Sequence, residues 1–168
     1  DIGGVAPARF SANWLSQAAV LNTLAPVLAV RSDKFTIRGA AEALNPALEA
    51  GDPHAVIDRA ARGLECGAVE HERGALLLLA CIAHDWLGET EATERCALGA
   101  LDAAREGSAV WLRAAAELAV VAGRLGNHHL LVGVARDLAR ARAGEARRER
   151  VVALAIVASE LLLVGHID

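Results

Sequence analysis

The chain has 168 residues, of which 54% are hydrophobic but only 3% aromatic, with no Tyr and no Met. Its apolar residues are therefore mostly Ala, Leu and Val, a composition typical of closely packed helices because Ala combines high helix propensity with little bulk. The net charge of −4 is too small to indicate a nucleic-acid-binding protein or an acidic tail. We expect no membrane span, since the longest apolar run, residues 151–164, contains Glu160 and is shorter than about 20 residues.

Residues 1–45 are predicted to be an N-terminal appendage made of a loop, a helix and a short strand. Residues 1–13 mix Gly, Pro and Ser with scattered apolar residues, as loops do, and show no secretory signal. Apolar residues at helical spacing predict a helix over 14–31, kinked or restarted at Pro26. After Lys34, polar and apolar residues alternate as in a strand. An isolated strand is unstable, so we expect it to pair with another segment or with a second chain through Phe35, Thr36, Ile37 and Arg38.

Residues 46–168 are predicted to be a second, all-helical domain with an internal repeat. An apolar residue followed by Gly recurs at Gly51, Gly88, Gly126 and Gly165, at intervals of 37, 38 and 39 residues. Between these glycines the pattern predicts two helices per unit, which indicates an α-solenoid of antiparallel helix pairs. The predicted helices cover residues 53–66, 71–87, 91–105, 109–125, 128–142 and 145–164.

Small residues stand seven positions before three of the repeated glycines, at Cys81, Ala119 and Ala158. They predict the points where paired helices cross most closely. Ala104, near a predicted helix end, is expected to have more room. The chain ends three residues after Gly165, which would leave the apolar face of the last helix open. We therefore expect a repeat domain truncated at its C-terminus, a fragment of a longer protein.

Residues 47–165 resemble tetratricopeptide repeats, which place a small residue seven positions before the inter-helix Gly and an Ala-Leu-type pair near the end of the second helix. The long period is most similar to repeats of large LuxR-type bacterial activators and related signalling ATPases. In this chain His84, Ala122 and Leu161 occupy the aromatic positions of the standard repeat. The resemblance implies a non-catalytic scaffold, the sensor or regulatory part of a larger cytoplasmic protein. Its groove would bind a peptide or partner domain through His84, Glu117 and Ala122.

Residues 14–42 resemble the tail of pilus-associated surface proteins of verrucomicrobial bacteria. The similar elements are Leu-Ala-Pro at 24–26, Arg-Ser-Asp at 31–33 and the predicted strand at 35–38. The family's Tyr-Gly-Glu triplet is replaced here by Ala-Ala-Glu at 40–42. This resemblance implies the alternative function, a structural or oligomerising segment of a cell-envelope protein.

Candidate catalytic or metal-binding groups are few. Cys81 and His84 lie one helical turn apart and would hold zinc if two further ligands converged, but no second pair is visible. Buried, inert thiols are the favoured alternative. His84 and Asp85 are the one adjacent His–carboxylate pair of interest, and no nucleophile is placed by the pattern to use it. We therefore predict no enzyme, no cofactor and no metal.

A basic cluster surrounds Gly144 and includes Arg136 and Arg140, which are candidate partner contacts. Acidic residues interleave with it, as on a solvated face with ion pairs within helices. The alternative is a docking patch for an acidic peptide or a partner domain. The absence of aromatic residues argues against single-stranded nucleic acid as the ligand. The cluster comprises Arg136, Arg140, Arg142, Arg147, Arg148 and Arg150.

Overall fold

The computed structural model of the chain describes residues 51–142 and 146–165, and within these ranges it contains six α-helices and no strand. The all-α prediction is confirmed for this part of the chain. The predicted appendage, with its helix at 14–31 and its strand beginning at Phe35, lies outside the described residues. The helices are α1 (Pro53–Glu65), α2 (Glu70–Trp86), α3 (Thr90–Ala103), α4 (Ala109–Arg124), α5 (His128–Arg140) and α6 (Arg147–Leu163).

Local sequence determines where three of the helices begin. The Asp52 carboxylate accepts a hydrogen bond from the backbone N–H of Ala55 at 3.0 Å, and Pro53 occupies the first helical position of α1. Ser108 and Asn127 cap α4 and α5 in the same way. Each cap satisfies an N–H group that has no partner within the helix. The observed helix ends consequently differ from the predicted ones by two residues at most.

The repeated glycines adopt a left-handed backbone conformation, and Gly88, Gly126 and Gly165 do so just after the ends of α2, α4 and α6. Their φ angles are +69° at Gly51, +74° at Gly88, +64° at Gly126 and +78° at Gly165. At the end of α2, the N–H of Gly88 donates to the carbonyl of Asp85, and the following N–H donates to the carbonyl of His84. These bonds satisfy carbonyl groups at the helix end, and Gly adopts the required conformation without a steric penalty.

We expect Gly88→Ala to lower the free energy of unfolding by about 1–2 kcal/mol, because a Cβ atom is disfavoured in the left-handed conformation. No atom lies within 4 Å of the place where that Cβ would stand, so the loss would come from the backbone alone. Gly133→Ala is the matched control, since it lies within α5 and also has open space. It should gain about 0.5–1 kcal/mol from helix propensity. Urea denaturation measures both, and equal stability of the two variants would contradict the argument.

Helix α4 lies at the centre of the described structure, with 11 of its 16 residues buried. It contacts α2, α3, α5 and α6, while α1 packs on α2, α2 on α3, and α5 on α6. One apolar cluster is centred on Leu76, Leu78 and Leu79 of α2. A second joins α4 and α6 to Leu131 and Leu138 of α5. Complete burial of each leucine contributes about 1.5–3 kcal/mol, so these two clusters hold the helices together.

The predicted close-packing positions are only partly right. Cys81 and Ala119 are fully buried, but Ala158 is exposed. Helix α6 packs inward through Ala153 and Val157, so Ala158 points to the opposite side. The prediction of room at Ala104 is wrong. This residue is buried, and a Cβ added to Gly74 of α2 would lie only 3.2 Å from the Ala104 Cβ.

Candidate functional site

Two charged residues are buried inside α4, which otherwise presents mainly Ala, Leu and Val to its neighbours. Arg113 and Glu117 lie one turn apart, and Arg113 Nη2 is 2.6 Å from Glu117 Oε1. Their side chains are only 7% and 10% exposed, respectively. Such burial removes water from both charges, so the ion pair must compensate for a large loss of hydration.

The surroundings of Glu117 favour its neutral, protonated form more than water does for an ordinary carboxyl group. Burial raises the pKa of Glu117, and the nearby charge of Asp85 raises it further, while Arg113 opposes the shift. Arg113 Nε is buried and has no hydrogen-bond partner within the described residues. Buried polar atoms without partners are costly. We therefore expect changes in this pair to affect the stability of the fold strongly.

A second ion pair connects α4 to α2. Arg124 Nη1 contacts Asp85 Oδ1, joining two residues that are 39 positions apart in the chain. Asp85 is nearly buried, whereas Arg124 is half exposed. The positive charge of Arg124 also lowers the pKa of Glu117. The polar groups thus extend from the buried pair to the surface where α2 and α4 end.

His84 and Asp85 do not act together as a His–carboxylate dyad. His84 Nδ1 donates to Glu89 Oε2 at 2.6 Å, across the turn that contains Gly88. Asp85 instead pairs with Arg124 of α4. Adjacent residues on a helix point about 100° apart, and each of these two side chains finds a different partner. The geometry supports a separate polar contact for each residue rather than proton transfer between them.

The three cysteines have different environments. Cys81 is buried, Cys96 is half-buried and Cys66 is exposed. Burial strongly raises the pKa of the Cys81 thiol, and the Glu117 carboxylate raises it further. Burial also raises the pKa of Cys96. A thiol with a raised pKa is a poor nucleophile at neutral pH. Within the described ranges, no three His, Cys, Asp or Glu side chains gather as metal ligands would.

Of the five residues proposed from the sequence as partner contacts, Glu117 and Ala122 offer almost no surface. Ala122 is fully buried, and Glu117 is enclosed with Arg113. Both positions are covered because α4 is surrounded by four other helices. His84 keeps a partly exposed side chain at the end of α2. The structure therefore leaves His84, but not the two α4 residues, accessible to a partner.

Arg136 and Arg140, the other two candidates, are exposed on α5, which packs against the helix that carries Glu117. Arg142, Arg147 and Arg148 are exposed near them in the chain. Arg150 differs, since its Nη2 donates to the carbonyl of Ala139 at 3.2 Å and ties α6 to the end of α5. Most of the predicted basic cluster is thus a surface feature, and one arginine has a structural contact.

The buried ion pair and its link to Asp85 and Arg124 were not predicted from the sequence. A usable signal existed in α4, because Arg113 and Glu117 are four residues apart in a run that is otherwise almost entirely apolar. Charged residues are rarely buried unless they are paired. The contact between Asp85 and Arg124 has no comparable local signal, since it depends on how two distant helices pack.

Within the described ranges, no helix is both long and apolar enough to cross a membrane. Comparisons with protein-family models, with curated proteins and with solved structures found no match to the chain.

Proposed function

We propose that residues 51–165 form a non-catalytic scaffold of tetratricopeptide-like repeats that binds a protein partner. One observation carries the proposal: α2 contacts α4, α4 contacts α6, and all three end at the left-handed glycines of the repeat. In a solenoid of antiparallel helix pairs, the first helices of successive units lie side by side and line one continuous surface. Helices α2, α4 and α6 would be these first helices.

The ion pair between Asp85 and Arg124 supports this assignment. It connects corresponding ends of α2 and α4, as expected for neighbouring units that stack in the same orientation. His84 and Glu89 add a hydrogen bond at the same end. Arg124 and Glu89 are half exposed, and with their partners they would form the polar rim of a binding surface, where they contribute more to specificity than to affinity.

The exposed arginines on α5 and around the start of α6 favour a partner with an acidic segment. Arg136, Arg140, Arg142, Arg147 and Arg148 present their side chains to solvent, and Asp137 is an exposed acid among them. Complementary charges accelerate association and select the partner. The proposal retains Arg136 and Arg140 from the sequence analysis as contacts and replaces Glu117 and Ala122 by Arg124.

The experiment begins by identifying a partner and then measures the affinity with purified proteins. A photo-crosslinking amino acid at position 140 of the full chain would trap the bound protein in the native cell extract. With the purified partner, calorimetry should show about tenfold weaker binding for the double variant Arg136→Glu and Arg140→Glu. Arg105→Glu, exposed between α3 and α4, is the control. Unchanged affinity in the double variant, or an equal loss in the control, would reject the basic surface as the site.

The resemblance to repeats of cytoplasmic bacterial regulators supports a cytoplasmic location for this scaffold. The alternative, a structural segment of a cell-envelope protein that self-associates through Phe35 and its neighbours, depends on residues outside the described ranges. A different observation favours self-association, and it concerns α6.

A further inference from the structure

Helix α6 is apolar on the side that faces solvent as well as on the side that faces the core. Between Arg150 and Glu160 it has no charged residue. Ala153 and Val157 pack inward, yet Val151 is 67% exposed. A helix that is apolar on all sides is normally buried. Its outer face therefore has the composition of a packing surface.

Corresponding residues of α4 show how such a face is used within this fold. The residues 39 positions before Val151, Ala155 and Ala158 are Leu112, Ala116 and Ala119, and all three are buried by neighbouring helices. In α6 the same positions are exposed. In the described structure this face of α6 is therefore exposed, although the corresponding face of α4 packs against neighbouring helices.

The exposed residues form a seam with the spacing of a coiled coil. Val151, Ala155, Ala158 and Leu162 are separated by four, three and four residues, which places them in one row along the helix. The row has the same order of sizes in both directions, large, small, small and large. An antiparallel second copy of α6 would set Val151 against the partner's Leu162 and Ala155 against the partner's Ala158. The two alanines at the centre would allow close approach of the two backbones.

The charges at the two ends of the seam are also complementary in this arrangement. Arg148 continues the row three residues before Val151, in the first turn of α6. In the antiparallel pair it would meet the other copy's helix end, next to Gly165. The last carbonyl groups of a helix carry partial negative charge and attract cations. A parallel pair would instead place Arg148 beside the same residue of the other copy and would be disfavoured by repulsion.

We propose that two copies of the chain associate through the exposed face of α6, in an antiparallel, two-fold symmetric pair. Val151, Ala155, Ala158 and Leu162 form its centre, and Val152, Leu154 and Leu163 extend the apolar contact. Each contact occurs twice because the interface is isologous. This inference does not require the proposed partner, although Arg148 belongs both to the basic surface and to the end of the seam.

Analytical ultracentrifugation of the full chain over a range of concentrations tests the proposal. The unchanged chain should sediment as a mixture of monomer and dimer near micromolar concentration and as a dimer well above it, since a small interface suits a dissociation constant on the order of a micromolar. Leu162→Glu should weaken dimerisation at least ~30-fold, because each dimer would bury two charges against apolar partners. Leu98→Glu is the matched control, since Leu98 is 45% exposed on α3 and lies outside the seam. It should leave the dimer intact.

Cysteine crosslinking tests the orientation in a Cys66→Ser background. Chains with Val151→Cys and chains with Leu162→Cys should form a disulfide only when mixed. In the antiparallel pair, equal positions are about 16 Å apart along the axis at a rise of 1.5 Å per residue. Efficient crosslinking of either variant alone would reject the arrangement.

Three results, from sedimentation together with urea denaturation of the variants, would overturn the proposal. The first is a monomer at all concentrations whose stability falls in Leu162→Glu, which would mean that another segment of the same chain covers the face. The second is a monomer whose stability does not change in this variant, which would mean that the face stays exposed or binds a different protein. The third is equal weakening by Leu162→Glu and Leu98→Glu.

Discussion

Arg113→Met should lower the free energy of unfolding by about 3–5 kcal/mol, because it breaks a buried ion pair. Methionine occupies much of the space of the arginine side chain but leaves the Glu117 carboxylate buried without its partner. The cost therefore comes from an uncompensated charge rather than from a cavity. Urea denaturation measures the difference from the unchanged protein.

The double variant Arg113→Met and Glu117→Leu separates the charge from the packing. It removes both buried charges, and we expect it to recover most of the lost stability or to exceed that of the unchanged protein. Arg62→Met provides an exposed comparison, because Arg62 pairs with Asp58 at 3.5 Å on the surface of α1. That change should stay within about 0.5 kcal/mol. A loss in the double variant as large as in Arg113→Met would show that packing, and not the unpaired carboxylate, causes the effect.

The loss in Arg113→Met should also depend on pH. Burial raises the pKa of Glu117 above its ordinary value of 4.5, and Arg113 is the main group that opposes this shift. Without Arg113, the folded state holds the Glu117 proton more tightly than the unfolded state does. The free energy of unfolding of the variant is therefore reduced least below pH 4.5, where Glu117 is protonated in both states. It falls as the pH rises through the pKa that Glu117 has in the folded state. Denaturation at pH 4.5 and pH 8 should show the smaller deficit at pH 4.5, and a larger deficit at the lower pH would contradict the mechanism.

Ala119→Leu should lower the free energy of unfolding by about 1–3 kcal/mol, because it adds three carbon atoms where α4 is completely enclosed. Ala104 cannot serve as the roomy control expected from the sequence, since it is buried against Gly74. Ala61→Leu is a better one, because Ala61 is exposed within α1 and Ala and Leu have similar helix propensities. Chemical denaturation of the two variants should show a large loss only for Ala119→Leu. Equal midpoints would mean that Ala119 does not mark a tight crossing of helices.

Ala158 shows why equivalent positions in a sequence repeat can differ in their environment. Ala119 and Ala158 both stand seven residues before a repeated glycine, and the sequence assigns them the same role. In the structure, α4 has helices on both sides, whereas α6 packs against α4 and α5 through one side only. A residue is buried only if another helix packs against it. The sequence pattern therefore predicts burial correctly only for a helix that has neighbours on both sides. The same reasoning explains why Ala122 and Glu117, predicted to line a groove, are enclosed.

The sequence by itself determined the helical class of the described residues and the ends of their helices. Caps such as Asp52 and left-handed glycines such as Gly88 act on backbone groups a few residues away, so their effect can be predicted locally. Only the tertiary structure decided that Arg113 and Glu117 are buried, that Asp85 meets Arg124, and that one face of α6 stays exposed. These features arise where helices far apart in the chain meet, and their energies depend on water exclusion and packing by the neighbours, which no local pattern specifies.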